Sequence, residues 1–187
     1  MKNFTLKSIL ACAVMAATAM TADAQRVTFQ KNSDVSNKIY ETHRTVPLWA
    51  DFNNDGYNDI LFCSGHASGV DSARTPILYV NDKNGSFVAN ENPEFLPINS
   101  AGTTAADFNN DGLIDFATTG WHAETGDSYS TVVYINKGDL TFEVVTGFGH
   151  GSHQGTVVAL DYNNDGYLDF VMVACTNKDN AKGTSTV

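Results

Sequence analysis

Three stretches of the chain carry the same oxygen-rich pattern. Asp51-Phe52-Asn53-Asn54-Asp55-Gly56-Tyr57-Asn58-Asp59 is the first, Asp107 to Asp115 the second, and Asp161 to Asp169 the third. All read D-[FY]-N-N-D-G-x-x-D and start 56 and then 54 residues apart. Side chains alternate along extended backbone, so oxygens at positions 1, 3 and 5 can point into one tight loop. Glycine at position 6 permits the sharp turn that other residues resist. Position 7 can then offer its backbone carbonyl, and the aspartate at position 9 closes the cage. An oxygen-only cage suits a hard cation, and calcium takes such ligands at roughly 2.3–2.6 Å. Zinc and copper would call for His or Cys, which the loops lack.

One Ca²⁺ is expected in each loop. Asp51, Asn53, Asp55 and Asp59 with the Tyr57 carbonyl hold one ion. Asp107, Asn109, Asp111 and Asp115 with the Leu113 carbonyl hold a second, and Asp161, Asn163, Asp165 and Asp169 with the Tyr167 carbonyl a third. Asn and Asp also favour plain turns, but three copies with every candidate ligand kept point past that reading.

The residues after each loop exclude an EF-hand, which needs a glutamate at position 12 and then a helix. Position 12 here is Phe62, Thr118 or Met172, and the runs Ile60–Cys63, Phe116–Thr119 and Phe170–Val173 are aromatic and β-branched, as in strands. A D-x-N-x-D-G-x-x-D loop between two strands resembles the FG-GAP (VCBS-type) repeat of integrin-α-like β-propellers. The resemblance covers about residues 40–187. It implies an all-β fold of four-stranded antiparallel blades, with calcium held in the hairpin between the first two strands of each.

The rest of each period fits four short strands. Apolar runs precede the loops at Val46–Ala50, Thr103–Ala106 and Thr156–Leu160. Beyond them, Ile77–Asn81 and Ser86–Val88 flank a turn at Asp82–Gly85, and Thr131–Asn136 and Leu140–Phe142 flank another at Lys137–Asp139. Tyr79 and Tyr134 lie 55 residues apart, in phase with the loops. The repeats are expected at about 46–102, 103–155 and 156–187, the last cut short inside its third strand at Ser185-Thr186-Val187. Arg26 to Tyr40 would supply outer strand to a preceding or closing blade. Two whole blades and two partial ones leave the ring open, since closed propellers hold roughly four to eight. Unpaired edges then favour self-association.

Residues 1–24 read as a cleaved secretory signal: Lys2 and Lys7, a short apolar core from Ile9 to Met20, and Ala22-Asp23-Ala24 before Gln25. The domain is then 25–187, exported to the periplasm, cell surface or medium. The apolar core is too short for a membrane span, and no other stretch approaches one. The whole chain carries a formal charge of −10. Residues 25–187 hold 20 acidic side chains, nine of them loop aspartates, and no basic patch for nucleic acid. Cys12 leaves with the signal; Cys63 and Cys175 fall in equivalent strands and are expected buried and unpaired.

The remaining connections must emerge at the opposite end of the blades: Ser64–Pro76, Ala89–Gly102, Trp121–Ser130 and Thr146–Gly155. His66, Trp121, His122 and His150 lie there, with His153 nearby and His43 ahead of the first blade. They form a candidate ligand face, since binding residues gather on loops held by a rigid scaffold; equally, repeats copy their loop residues. There is no nucleophile elbow and no H-E-x-x-H motif, and the paired carboxylates are better used as calcium ligands than as an acid/base pair. No catalytic residue is assigned. The expected function is a secreted calcium-binding propeller segment that binds an extracellular protein or glycan. The alternatives are the propeller part of a polysaccharide-degrading enzyme, or a structural repeat of a surface adhesin.

Overall fold

The computed structural model describes residues 30–33, 39, 46–63, 75–90, 94–122, 128–148, 151, 153–175 and 183–186. The chain divides into two compact units, Met1–Lys31 and Asn32–Val187. Of the first, only Gln30 and Lys31 are described, and both are exposed. The expected signal segment lies outside the described residues.

Among the described residues of the second unit, eleven strands succeed one another. A first sheet has β1 (Pro47–Ala50), β2 (Asp59–Phe62), β3 (Ile77–Asn81) and β4 (Phe87–Asn90) in sequence order. A second has β5 (Ile98–Ala106), β6 (Asp115–His122), β7 (Ser128–Asn136) and β8 (Phe142–Val145), also in order. The third has β9 (His153–Leu160), β10 (Asp169–Cys175) and β11 (Gly183–Thr186). Every pairing is antiparallel between chain neighbours. Each nine-residue loop joins the first two strands of its sheet. The all-β expectation and its placement of the loops in hairpins therefore hold.

Period-2 alternation decides what each sheet buries. Leu61 and Leu78 of the first sheet, with Cys63 just past β2, enter one core with Ile98, Phe116, Val132, Tyr134 and Phe142 of the second, joined by Phe95 from the connection. The Phe116 and Tyr134 rings stack at 4.4 Å, and Phe95 meets both edge-on at 5.3 Å. The opposite face of the first sheet buries Ile60, Ile77 and Tyr79, with Ile39 packed against them. Of the outer segment expected at Arg26–Tyr40, Ile39 and residues 30–33 are described; the rest lies outside the described residues.

The initial strands of the sheets are neighbours. β5 lies against β9 and also touches β1. A Cβ built on Gly102 would stand 2.6 Å from the Gly155 carbonyl oxygen, so glycine is what lets these two backbones meet. The Ala159 N–H donates to Thr104 Oγ1 at 3.2 Å across the same boundary. On the next strand, the Thr119 hydroxyl donates to Met172 Sδ at 3.0 Å.

Several strands differ in extent from the expectation. β5 begins at Ile98, inside the stretch expected to be irregular, because Ile98 is fully buried and pairs with His122. A register shift between Asn99 and Gly102 absorbs the intervening residues. β6 likewise runs on to His122, β7 starts at Ser128, and β9 starts at His153. Leu140, expected in a strand, is a turn residue with φ 59°. The turn closes on Lys137 N–H to Thr141 O and Thr141 N–H to Gly138 O, so β8 begins only at Phe142.

Candidate functional site

Each loop is built by its own polar side chains. In the first, the Asp55 N–H donates to Asp51 Oδ1 at 3.0 Å and to Asn53 Oδ1 at 3.2 Å. The Gly56 N–H donates to Asp51 Oδ2 at 2.7 Å, and the Tyr57 N–H to Asp55 Oδ1 at 3.0 Å. The second loop repeats all four bonds through Asp107, Asn109 and Asp111. The third repeats them through Asp161, Asn163 and Asp165. Positions 1, 3 and 5 are thus brought together three times over.

The backbone repeats as closely. Position 6 has φ of 88°, 87° and 88° at Gly56, Gly112 and Gly166. No atom lies within 4 Å of a Cβ built on any of the three, so the requirement there is conformational and not one of space. Position 4 is also left-handed, with φ of 56°, 59° and 58° at Asn54, Asn110 and Asn164. Asparagine tolerates that region better than most residues. This accounts for an Asn that the ligand pattern left without a role.

Position 9 ties the loop to the sheet. Asp59 is fully buried; its Oδ2 accepts from the Phe52 N–H at 3.0 Å and its Oδ1 from the Asn81 N–H at 2.9 Å. Asp115 does the same with the Phe108 and Asn136 amides, both at 2.8 Å. In the third loop, Asp169 Oδ2 accepts from the Tyr162 N–H at 3.1 Å. Asn81 and Asn136 have no role in the ligand pattern. Their side-chain amides donate to the carbonyls at position 8 of their loops, Asn58 at 3.1 Å and Ile114 at 3.0 Å. The available signal was their equal place after Tyr-Val and Tyr-Ile, 55 residues apart.

Burial is the largest influence on the Asp59 and Asp115 carboxyls and holds both above the ordinary value. Backbone donors pull the other way, while the loop carboxylates Asp51 and Asp55, or Asp107 and Asp111, add to the rise. At Asp55 burial also pushes upward, but there hydrogen bonds from Lys83, the Tyr57 amide and Asn53, with attraction to Lys83, prevail and hold the carboxyl below its usual range.

The donor set fits a hard divalent cation. It is all oxygen, three carboxylates and a carboxamide per loop, and carboxylate oxygens that accept one amide keep further lone pairs. The Tyr57 and Tyr167 side chains are exposed, which suits a backbone role for position 7. Among the described residues no three His, Cys, Asp or Glu side chains form a ready-made metal group. The loop oxygens are instead turned toward their own amides.

The opposite end of the second sheet holds Trp121 and His122, which close β6 six and seven residues beyond Asp115. At about 3.3 Å per residue they stand roughly 20–23 Å from the loop. Trp121 is half-buried and pairs in register with Asn99 and Tyr129. His66 and His150 lie outside the described residues. Cys63 is buried, and its thiol is free and pushed far above its ordinary pKa by burial. Among the described residues, no helix is long and apolar enough to cross a membrane.

A family model described as FG-GAP-like repeat matches residues 51–118. The matched stretch opens on the first residue of the first loop and runs through the whole of the second. It carries an FG-GAP-type repeat, a kind that fits a β-propeller. No curated protein matches the chain.

Proposed function

With an FG-GAP-type repeat spanning two of the three loops, we propose that this chain is a secreted, calcium-stabilised β-propeller segment that binds an extracellular protein or glycan. Each sheet is a blade, and each nine-residue loop holds one calcium ion in the blade's first hairpin. The carrying observation is threefold: three loops with the same four internal hydrogen bonds and the same left-handed residues at positions 4 and 6. Turns without a common task need not agree to that degree. Calcium would offset the mutual repulsion of three carboxylates in nine residues and lock the hairpin that the position-9 aspartate ties to strand three. When bound, the ion supplies cross-linking charge, with no chemistry required of it.

The leader Met1–Ala24 directs export. The partner meets the end of the blades opposite the calcium loops, where Trp121 offers a ring for stacking on a sugar or anchoring a protein side chain.

Calorimetric titration of chelated protein tests the metal assignment. Three ions are expected per chain, and Asp55→Ala, Asp111→Ala and Asp165→Ala should each remove one. Binding should also raise the melting temperature by mass action. Absence of calcium uptake at millimolar concentration would sink the assignment. Glycan and protein arrays probed with wild type and Trp121→Ala test the binding face; N-terminal sequencing of exported protein, expected to begin at Gln25, tests the leader.

A further inference from the structure

The first loop carries a cation that the second does not. The β3–β4 turn carries Lys83 over it, and the Lys83 ammonium stands 3.1 Å from Asp55 Oδ2 and 5.6 Å from the centre of the Tyr57 ring. The turn is built to hold it there. Lys83 itself is left-handed at φ 63°, its N–H donating to Asn81 Oδ1 at 2.9 Å. Asp82 Oδ1 accepts from the Asn84 and Ser86 amides at 2.9 and 2.8 Å, and the Asp82 N–H donates to Ser86 O at 3.0 Å. Asn81 in turn is fixed to the loop through Asp59. Turn and loop therefore form one unit with a cation on a ligand carboxylate.

The second sheet is arranged otherwise. Gly138 occupies the place equivalent to Lys83, coming two residues after Asn136 as Lys83 comes two after Asn81, and its N–H donates to Asn136 Oδ1 at 2.9 Å. The neighbouring Lys137 pairs with Glu143 of β8, and that pairing is the main reason its pKa stands above the usual value. Asp111, the counterpart of Asp55, accepts from the Asn109 side-chain amide at 2.8 Å, as Asp55 does from Asn53, and among the described residues Lys137 attracts it only from a distance, without an ion pair. The counterpart in the third sheet lies outside the described residues.

We propose that Lys83 is a tethered cation that competes with calcium for Asp55, so that the first loop fills at a higher calcium concentration than the second. The inference rests on the calcium assignment above. The same carboxylate cannot hold the ammonium and a divalent ion at full strength, and a positive charge left beside a bound ion repels it. Lys83 and Asp55 are both partly solvated, so the effect is moderate: from the worth of an exposed pair plus residual repulsion, removing the charge should tighten the first loop by about three- to tenfold. The first two loops then fill at different calcium concentrations and not together.

The test is calcium titration by calorimetry of the exported chain in wild-type, Lys83→Met, Lys83→Asn and Lys83→Arg forms. The component lost in Asp55→Ala identifies the first loop. That component should be weaker than the one lost in Asp111→Ala. It should tighten in Lys83→Met and in Lys83→Asn, the latter suited to the left-handed turn, while Lys83→Arg stays near wild type and the other components hold steady. Unchanged or weaker first-loop affinity in both Met and Asn variants overturns the proposal and leaves the calcium assignment standing. Equal tightening in Lys83→Arg also overturns it, since the charge would then be irrelevant. No uptake by any loop overturns both.

Discussion

The side-chain amide of Asn136 donates to the Phe52 carbonyl at 2.8 Å, bridging the second sheet to the loop of the first across 84 residues of sequence. The same nitrogen reaches the Ile114 carbonyl at 3.0 Å in its own sheet. Asn136 and the Phe52 side chain are both fully buried, and the Phe52 ring lies edge-on to Phe116 at 6.1 Å and to Phe142 at 6.4 Å. One asparagine thus joins two loops and strand three.

Asn136→Ala should therefore destabilise the protein by about 1–3 kcal/mol, since it strands buried carbonyls. Asn81→Ala, at the equivalent place but partly exposed, should cost less. Urea melts of both variants in saturating calcium provide the comparison; equal losses would contradict the bridging role.

Asp115 gives a pH dependence with a definite sign. Its folded-state pKa is raised above 3.8, chiefly by burial, so its contribution to stability is fully present below that value and is lost as pH rises through the folded pKa. In chelator, the stability of wild type relative to Asp115→Asn should decline on going from about pH 3.5 toward neutrality. A difference that grows with pH in denaturant melts would show that backbone donors outweigh burial at this carboxyl.

The Thr118 hydroxyl is buried with no hydrogen-bond partner among the described residues. Thr118→Val keeps the shape and removes the desolvated oxygen. It should raise stability by about 1 kcal/mol, read as a higher melting temperature.

The aromatic at position 2 of the loops changes its surroundings along the chain. Phe52 is 0% exposed, Phe108 meets Phe170 edge-on at 6.5 Å, and Tyr162 is 65% exposed. Val173 is 54% exposed where its counterparts Cys63 and Thr119 are buried. This face of the third sheet should drive self-association. Tyr162→Lys with Val173→Lys should lower the sedimentation-average mass without lowering the melting temperature, whereas Phe52→Lys should unfold the protein.

The sequence by itself determined the loops and most of the strands around them. The loop bonds span two to five residues, so ligand order, the turn glycine and the flanking apolar alternation are all local and visible as a pattern. Tertiary structure alone decided the rest. Asp59 was legible as a candidate ligand, but not as the acceptor of the Asn81 amide 22 residues away. Asn136 to Phe52, Lys83 to Asp55 and Gly102 against Gly155 depend on how strands stack, which leaves no local period in the chain. The extension of β5 back to Ile98 has the same origin, because a buried side chain and a partner strand, not local propensity, hold that segment extended.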